Sequence, residues 1–526
     1  MTGKLSLENI THGQNHIDRL AISDVPQFIQ ADDPIEKGIV NHTIAVALYS
    51  TFMRDLNKYI CQFDPALHTF DYVRRSSPFL LTAMLAASAK AFKSTSHSGL
   101  LNHAEDLLAT CFRKGKKSVD IVQAILVLTY WKEPDDTRAW LSVGYVIRMC
   151  IELGLHKITP SSQDKDADRD ELSIRERRNV ERLWLLLYFY DRSLSLQNGS
   201  PSMIRRNELI ESANTWFDDP WATSHDRLLC ALVTLRLIGS EVFDLLNPHR
   251  NSSQNTMLDR TDGLMGTFQH DITRWKSRWS SMEESRNDSL YQFFIAFYGT
   301  NLRLLFSLFP LHASLTSSLP EESIDKQPLL VSFSSAVEML QLLARPDYSE
   351  LLYLVQDSIN IMIAYSSIFL IKLLLSVSPE IRSEIEGPAI EAISGASKVF
   401  DAQNAPPHSG CGLQAKFLRN VLKVFRKAHK PRQGRSTQPI QTSTQTTSNT
   451  NTSIHEVRSD MDLAVGEMLD PTVYNTDHAV GLDYLLDWSE PSFANFDLWP
   501  TLSVGANSDM NGTFSLDGLG HMGPFT

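Results

Sequence analysis

The chain is poor in cysteine and lacks the motifs on which catalytic, metal-binding and exported proteins are built. Cysteine occurs five times in 526 residues, as Cys61, Cys111, Cys150, Cys230 and Cys411, and never as a CxxC pair. That odd, scattered set provides neither a disulfide framework nor a cysteine zinc site, and it predicts a reduced, intracellular protein. The opening residues, MTGKLSLENITHGQ, lack the apolar run of a secretory signal and the arginine-rich amphipathicity of a transit peptide, so no export is expected. A long uncharged, mostly apolar stretch, 358 to 371, contains Asn360 and a Tyr-Ser-Ser triplet and closes at Lys372; it reads as a buried core helix rather than a membrane span. Histidines form no HExxH or HxH pattern, Ser193, Ser195 and Ser200 stand in no GxSxG elbow, and no P-loop or strand-borne GxGxxG is present. Asp135-Asp136 and Asp218-Asp219 read as solvated turn or helix-start residues, so nothing assembles a catalytic constellation and the expectation is a non-enzyme. A formal net charge of −12 argues against a chain that binds nucleic acid over its whole surface.

Strand signals are nearly absent, and what fills the chain instead is helix. Asp33-Pro34 followed by Glu36 reads as an N-cap, a first-turn proline and a first-turn acid, with Ile44, Leu48, Phe52 and Leu56 recurring on one face behind it. Ser77-Pro78 repeats the start signal before FLLTAMLAASAKAF, whose alanines permit close helix approach, and Ser118 precedes a run ending near Trp131. From Trp140 to Leu155, Val143, Val146, Ile147, Cys150 and Ile151 keep amphipathic helical spacing, and Gly154 supplies a C-cap, with His156 placed to meet the carbonyl end of that helix. These signals predict an all-α, multi-helical body over 33–430, preceded by a short disordered segment at 1–32.

Near residue 430 the composition changes twice. Residues 416–435 carry eight Lys or Arg and no acid. Lys423, Arg426, Lys427, Lys430, Arg432 and Arg435 form either a nuclear-import signal or the solvated cationic end of a helix. A Ser/Thr/Gln-rich run follows, making 431–455 an expected disordered linker. From Ile454 onward there are twelve acids and one base, so 456–526 reads as an acidic, disordered tail. Within it, 483–500 sets Tyr484, Leu485, Leu486, Trp488, Phe493, Phe496, Leu498 and Trp499 among Asp483, Asp487, Glu490 and Asp497. Acids keep such bulky groups solvated and available to a coactivator groove, the composition of an activation segment; packing back on the helical body is the alternative.

Residues 172–204, LSIRERRNVERLWLLLYFYDRSLSLQNGSPSMI, resemble the signature of the fungal-specific transcription factor domain, or middle homology region, of the zinc-cluster transcription factors. The family form is roughly E-x-R-R-R-x-W-W, D-R-x-x-S, G-R-P, and Glu176, Arg177, Arg178, Trp184, Asp191, Arg192, Ser195, Gly199 and Pro201 occupy those slots. Ser200 stands where Arg is usual and Leu185 where a second Trp is common. The resemblance extends to 139–157 through Trp140, Gly144, Arg148, Met149, Leu153, Gly154, Leu155 and His156, and to 63–92. It implies a nuclear regulator of RNA polymerase II transcription whose helical domain restrains or releases the tail, with coactivators and a homo- or heterodimeric family member as partners and no membrane association.

Family members usually carry an N-terminal six-cysteine zinc cluster. Here the first cysteine is Cys61, inside the helical body, so direct DNA contact is not supported by this sequence. Zinc is expected only if such a cluster lies upstream; otherwise a DNA-bound partner supplies the contact. An all-helical scaffold or coregulator without DNA binding is the competing reading. On physical grounds Val180, Leu183, Trp184, Leu187, Asp191 and Leu194 share one face, and a carboxylate in that apolar stripe predicts a basic partner for Asp191, from Arg148, Arg182 or Arg192.

Overall fold

A computed structural model of the chain describes residues 32–160, 170–198, 201–246, 257–282, 286–316, 326–403 and 405–428. The expected N-terminal segment, linker and acidic tail lie outside the described residues, apart from Asp32. Among the described residues every regular element is helical, as the sequence predicts.

The long helices are α1 (His42–Thr51), α2 (Phe70–Ser76), α3 (Pro78–Ala91), α4 (His97–Arg113), α5 (Val119–Tyr130), α6 (Ala139–Glu152), α7 (Glu171–Asn198), α8 (Asp226–Leu246), α9 (Met257–Ser280), α10 (Ser289–Thr316), α11 (Lys326–Leu343), α12 (Asp357–Ser376), α13 (Pro379–Ala402) and α14 (Gly410–Ala428). They stack largely in chain order: α3 packs on α4 and α5, then α5 on α6, α6 on α7, α7 on α8, α8 on α9, α9 on α10 and α10 on α11. A final group of α11 to α14 closes on itself. One apolar core runs continuously from Val40 to Phe425.

Local chemistry sets the helix ends. Ser77 and Ser118 are N-caps, their hydroxyls accepting from Leu80 N at 3.1 Å and Ile121 N at 3.2 Å. Gly154 ends α6 at φ +88°, a conformation that favours glycine. The start signal at Asp33 does not begin α1. Its carboxylate accepts from Ile35 N at 2.8 Å and binds Arg74 at 2.6 Å, forming an isolated turn; α1 begins at His42, capped by Asn41. Two apolar positions also depart from the pattern, Ile44 and Ile151 being exposed.

The stretch Ser358–Ser376 of α12 is long and apolar enough to cross a bilayer, but 67% of it is buried within the fold. Ser366 and Ser367 return their protons to the carbonyls of Met362 and Ile363 at 2.9 Å, which satisfies polar groups in a core helix.

Candidate functional site

The centre of the domain is α7. No glycine or proline interrupts its 28 residues, and Arg175–Glu171 and Arg177–Glu181 pairs brace its first turns. From Leu183 to Tyr190 it is buried on every side, so this is an interior helix rather than an amphipathic surface one. Trp184 and Leu185, in the tryptophan slots of the signature, both lie in the core.

An ionic cluster forms around the part of α7 that precedes Trp184. Arg182 binds Asp226 in a fork, Nε to Oδ1 at 2.5 Å and Nη2 to Oδ2 at 2.8 Å, with both side chains fully buried. Arg178 stacks its guanidinium 3.5 Å from the centroid of Trp216 and donates to the Trp216 carbonyl at 3.1 Å. The Trp216 indole donates to Glu181 Oε2 at 2.7 Å, and Arg177 donates to Glu181 Oε1 at 3.2 Å. Thr223 N donates to Asp226 Oδ2 at 2.9 Å, and Asp219 stands 3.8 Å from Arg178, at the edge of the cluster rather than in open solvent. Burial alone would raise the Asp226 carboxyl; the charge and hydrogen bonds of Arg182, then Arg178 and the Thr223 amide, outweigh it and hold the carboxyl below its ordinary value.

Asp191 corrects an expectation. Its carboxylate accepts from two backbone N–H groups, that of Met203 shared between both oxygens at 3.0 Å and that of Ile204 at 2.8 Å, and no basic side chain pairs with it among the described residues. Arg182 is committed to Asp226, Arg148 reaches only the Gly144 carbonyl at 3.5 Å, and Arg192 donates to Ser202 Oγ and to the Ile204 carbonyl at 3.0 Å. Adjacent Asp191 and Arg192 therefore grip one segment, the Asp through its amides and the Arg through its acceptors. Burial pushes the Asp191 carboxyl up, while the two amides and Arg192 pull it back. Asp191→Asn, which offers an N–H₂ to amide protons, should cost about 1–3 kcal/mol. Urea denaturation checks this, and limited proteolysis should show earlier cutting between 201 and 206.

The signature's two stretches meet at this segment. A Cβ at Gly144 of α6 would lie 3.8 Å from Met203 Sδ and 3.6 Å from Arg148 Nη1, ordinary contact distances, so α6 packs directly beside this segment and an alanine would fit there. Asn207 donates to the carbonyls of His156 and Ile158 at 3.4 Å, and Arg177 to that of Thr159 at 3.4 Å, which ties down the chain beyond Gly154. Trp140 is half-buried against the core, His156 and Pro201 are exposed, and Gly199 lies outside the described residues. Lys423 and Arg426 are exposed on α14; the side chain of Lys427, and all of Lys430, Arg432 and Arg435, lie outside the described residues, as do Tyr484, Leu485, Leu486, Trp488, Phe493, Phe496, Leu498 and Trp499.

Glu181, Arg182, Trp216 and Asp226 are the residues that sequence reading missed as a group. The one available signal was the crowding of Arg177, Arg178, Glu181 and Arg182 against an apolar helical run. Among the described residues no three His, Cys, Asp or Glu come together to hold a metal, and all five cysteines are buried and outside any disulfide. The arrangement positions chain segments and fixes helix packing.

Comparison with known proteins agrees with that character. Residues 50–277 match the model of the fungal specific transcription factor domain. The chain is 30% identical over 350 residues to Protein priB of Lentinula edodes, covering 65% of this chain and 57% of that protein. It is 24% identical over 380 residues to the transcriptional activator of proteases prtT of Emericella nidulans, covering 70% and 54% respectively. Over 166 residues it is 26% identical to the transcriptional regulatory protein SEF1 of Candida albicans, covering 29% of this chain and 18% of that one. The chain thus spans a little over half the length of the first two relatives. No solved structure matches it. Residues 50–277, with the ionic cluster and the Asp191–Arg192 grip inside them, are thus the part of the chain that is similar to the fungal specific transcription factor domain, a regulatory rather than an enzymatic family.

Proposed function

We propose that this chain is a nuclear regulator of RNA polymerase II transcription, in which the helical domain controls an acidic, aromatic activation segment at 483–500. The observation that carries the reading is the match of residues 50–277 to a transcription factor domain, in relatives whose names describe transcriptional activation and regulation. The composition of the tail supports the activation role, since acids interleaved with Trp488, Phe493, Phe496 and Trp499 suit ordering on a coactivator. The basic run ending at Arg435 supports nuclear import. DNA contact comes from a zinc cluster encoded upstream or from a DNA-bound family member with which the chain dimerises.

Residues 436–526 fused to an unrelated DNA-binding domain should raise reporter output. Trp488→Ala with Trp499→Ala should remove most of it, because the bulky groups are the docking elements and the acids alone provide only solubility and long-range attraction. A fusion that is expressed, nuclear and silent removes the activation claim.

A further inference from the structure

Helices α4 and α6 lie side by side and run the same way. Three contacts step along them together: Glu105 with Arg138 at 2.8 Å, the rings of Phe112 and Tyr145 with centroids 5.3 Å apart, and Lys117, just past α4, with Glu152 at 2.5 Å. Ion pairs close both ends of this two-helix face, and its middle is apolar. Leu108 and Leu141 stand one turn before Phe112 and Tyr145, on the same sides of their helices. Leu141 is 72% exposed and Phe112 68%, the two most exposed large hydrophobics among the described residues, and both fall in this band. An apolar band of this kind with a charged rim is the composition of a protein-binding face.

Charge is polarised along the same face. Around the Glu105–Arg138 rung stand Asp106, Asp135 and Asp136, which makes four acids against one base. Around the Lys117–Glu152 rung stand Arg113, Lys114 and Lys116, which makes four bases against one acid. Helix dipoles favour that order, acids at the N-terminal ends and bases at the C-terminal ends, but they give no reason for the exposed leucine and phenylalanine in between. Turned end for end, the face complements itself, with acid end over base end twice and apolar band over apolar band.

We propose that a second copy of this chain docks here, with α4 and α6 of each protomer packed antiparallel on those of the other across a two-fold axis. Two helices side by side, each about 20 Å long, give a footprint of about 400 Å² on each copy. That lies at the low end for a specific interface and sets a dissociation constant on the order of micromolar. The chain's own acidic, aromatic tail fits the face less well, because the acid end repels it, whereas a reversed copy meets opposite charge at both ends. The inference gives a surface to the dimerisation named in the proposed function, and it is measured without DNA, so its failure leaves the transcriptional reading standing.

Sedimentation of the full chain over about 1–100 μM should pass from monomer to dimer mass. Phe112→Asp with Leu141→Asp, both at exposed positions that leave the core intact, should weaken the dimer at least about tenfold. Charge reversal tests the orientation. Lys114→Glu with Lys116→Glu makes the face acidic at both ends, and Asp106→Lys with Asp135→Lys makes it basic at both. Each reversed chain should stay monomeric alone, and an equimolar mixture of the two should form the heterodimer, because every end then meets its opposite. The proposal is overturned by a full chain that remains monomeric throughout, the result expected if the tail covers the face. It is also overturned by a dimer that Phe112→Asp with Leu141→Asp leaves unchanged, or by reversed chains that associate no better mixed than alone. Should one reversed chain not fold, dimerisation of the other with undiminished affinity overturns it.

Discussion

Asp226→Ala is expected to destabilise the domain by about 3–5 kcal/mol, because it strips buried Arg182 of its hydrogen-bonded carboxylate and takes from Arg178 one of its acids. Against a typical domain stability of about 5–15 kcal/mol, that loss should lower soluble yield as well as the urea midpoint. The interaction is one of mutual compensation rather than net gain, since desolvating two charges cancels most of their attraction. The double variant Arg182→Met with Asp226→Leu should therefore lose less than either single change. A loss below about 1 kcal/mol for Asp226→Ala would mean that the pair is solvated and not buried. The pH dependence has a fixed sign. The folded carboxyl lies below its ordinary value, so its contribution is complete above the unfolded pKa of about 3.9 and is lost as pH falls through the folded one. Asp226→Asn should flatten that acid limb.

Trp184→Ala should cost about 3–5 kcal/mol, the range for truncating a large buried aromatic, because the helix around it is packed on every side and cannot collapse into the void. Trp184→Phe should cost much less. The Trp184 indole N–H is buried without an acceptor, so phenylalanine removes an unsatisfied donor while keeping most of the ring volume. Trp216→Phe makes the opposite comparison, since the Trp216 indole donates to buried Glu181 at 2.7 Å and its loss leaves that carboxylate one donor short. Chemical denaturation of the three variants should rank Trp184→Phe as the mildest and Trp184→Ala as the most severe. Equal losses for the two phenylalanine variants would remove the distinction between a tryptophan that fills space and one that also holds charge.

Features governed by neighbours in sequence were legible before the fold was known. Ser77-Pro78, Ser118 and Gly154 act within one helical turn, and each does what its residue type and position predict. Asp33-Pro34 carries the same kind of signal and gives only a turn, because Arg74, 41 residues away, claims the carboxylate. Asp191 is recognisable in the sequence as a carboxylate needing a partner, and the cost of burying a charge points to a base. Its partners are main-chain amides, which carry no sequence mark; Met203 and Ile204, 12 and 13 residues further along the chain, lie back against the helix. The ionic cluster was hidden for a related reason. Asp226 lies 44 residues beyond Arg182, and only the packing of α8 on α7 places them together. The resemblance in 172–204 thus located the centre of the domain, while the partners of its charged residues depended on tertiary contacts.

The central claim is that a helical regulatory domain acts on transcription through an acidic, aromatic tail. The most direct test tethers the chain to DNA through an unrelated DNA-binding domain and compares reporter output from residues 1–526, 1–455 and 436–526. The account predicts output from the tail alone, none from 1–455, and output from the intact chain that depends on the tail. Equal output from 1–455 and 1–526, with 436–526 silent, would contradict it.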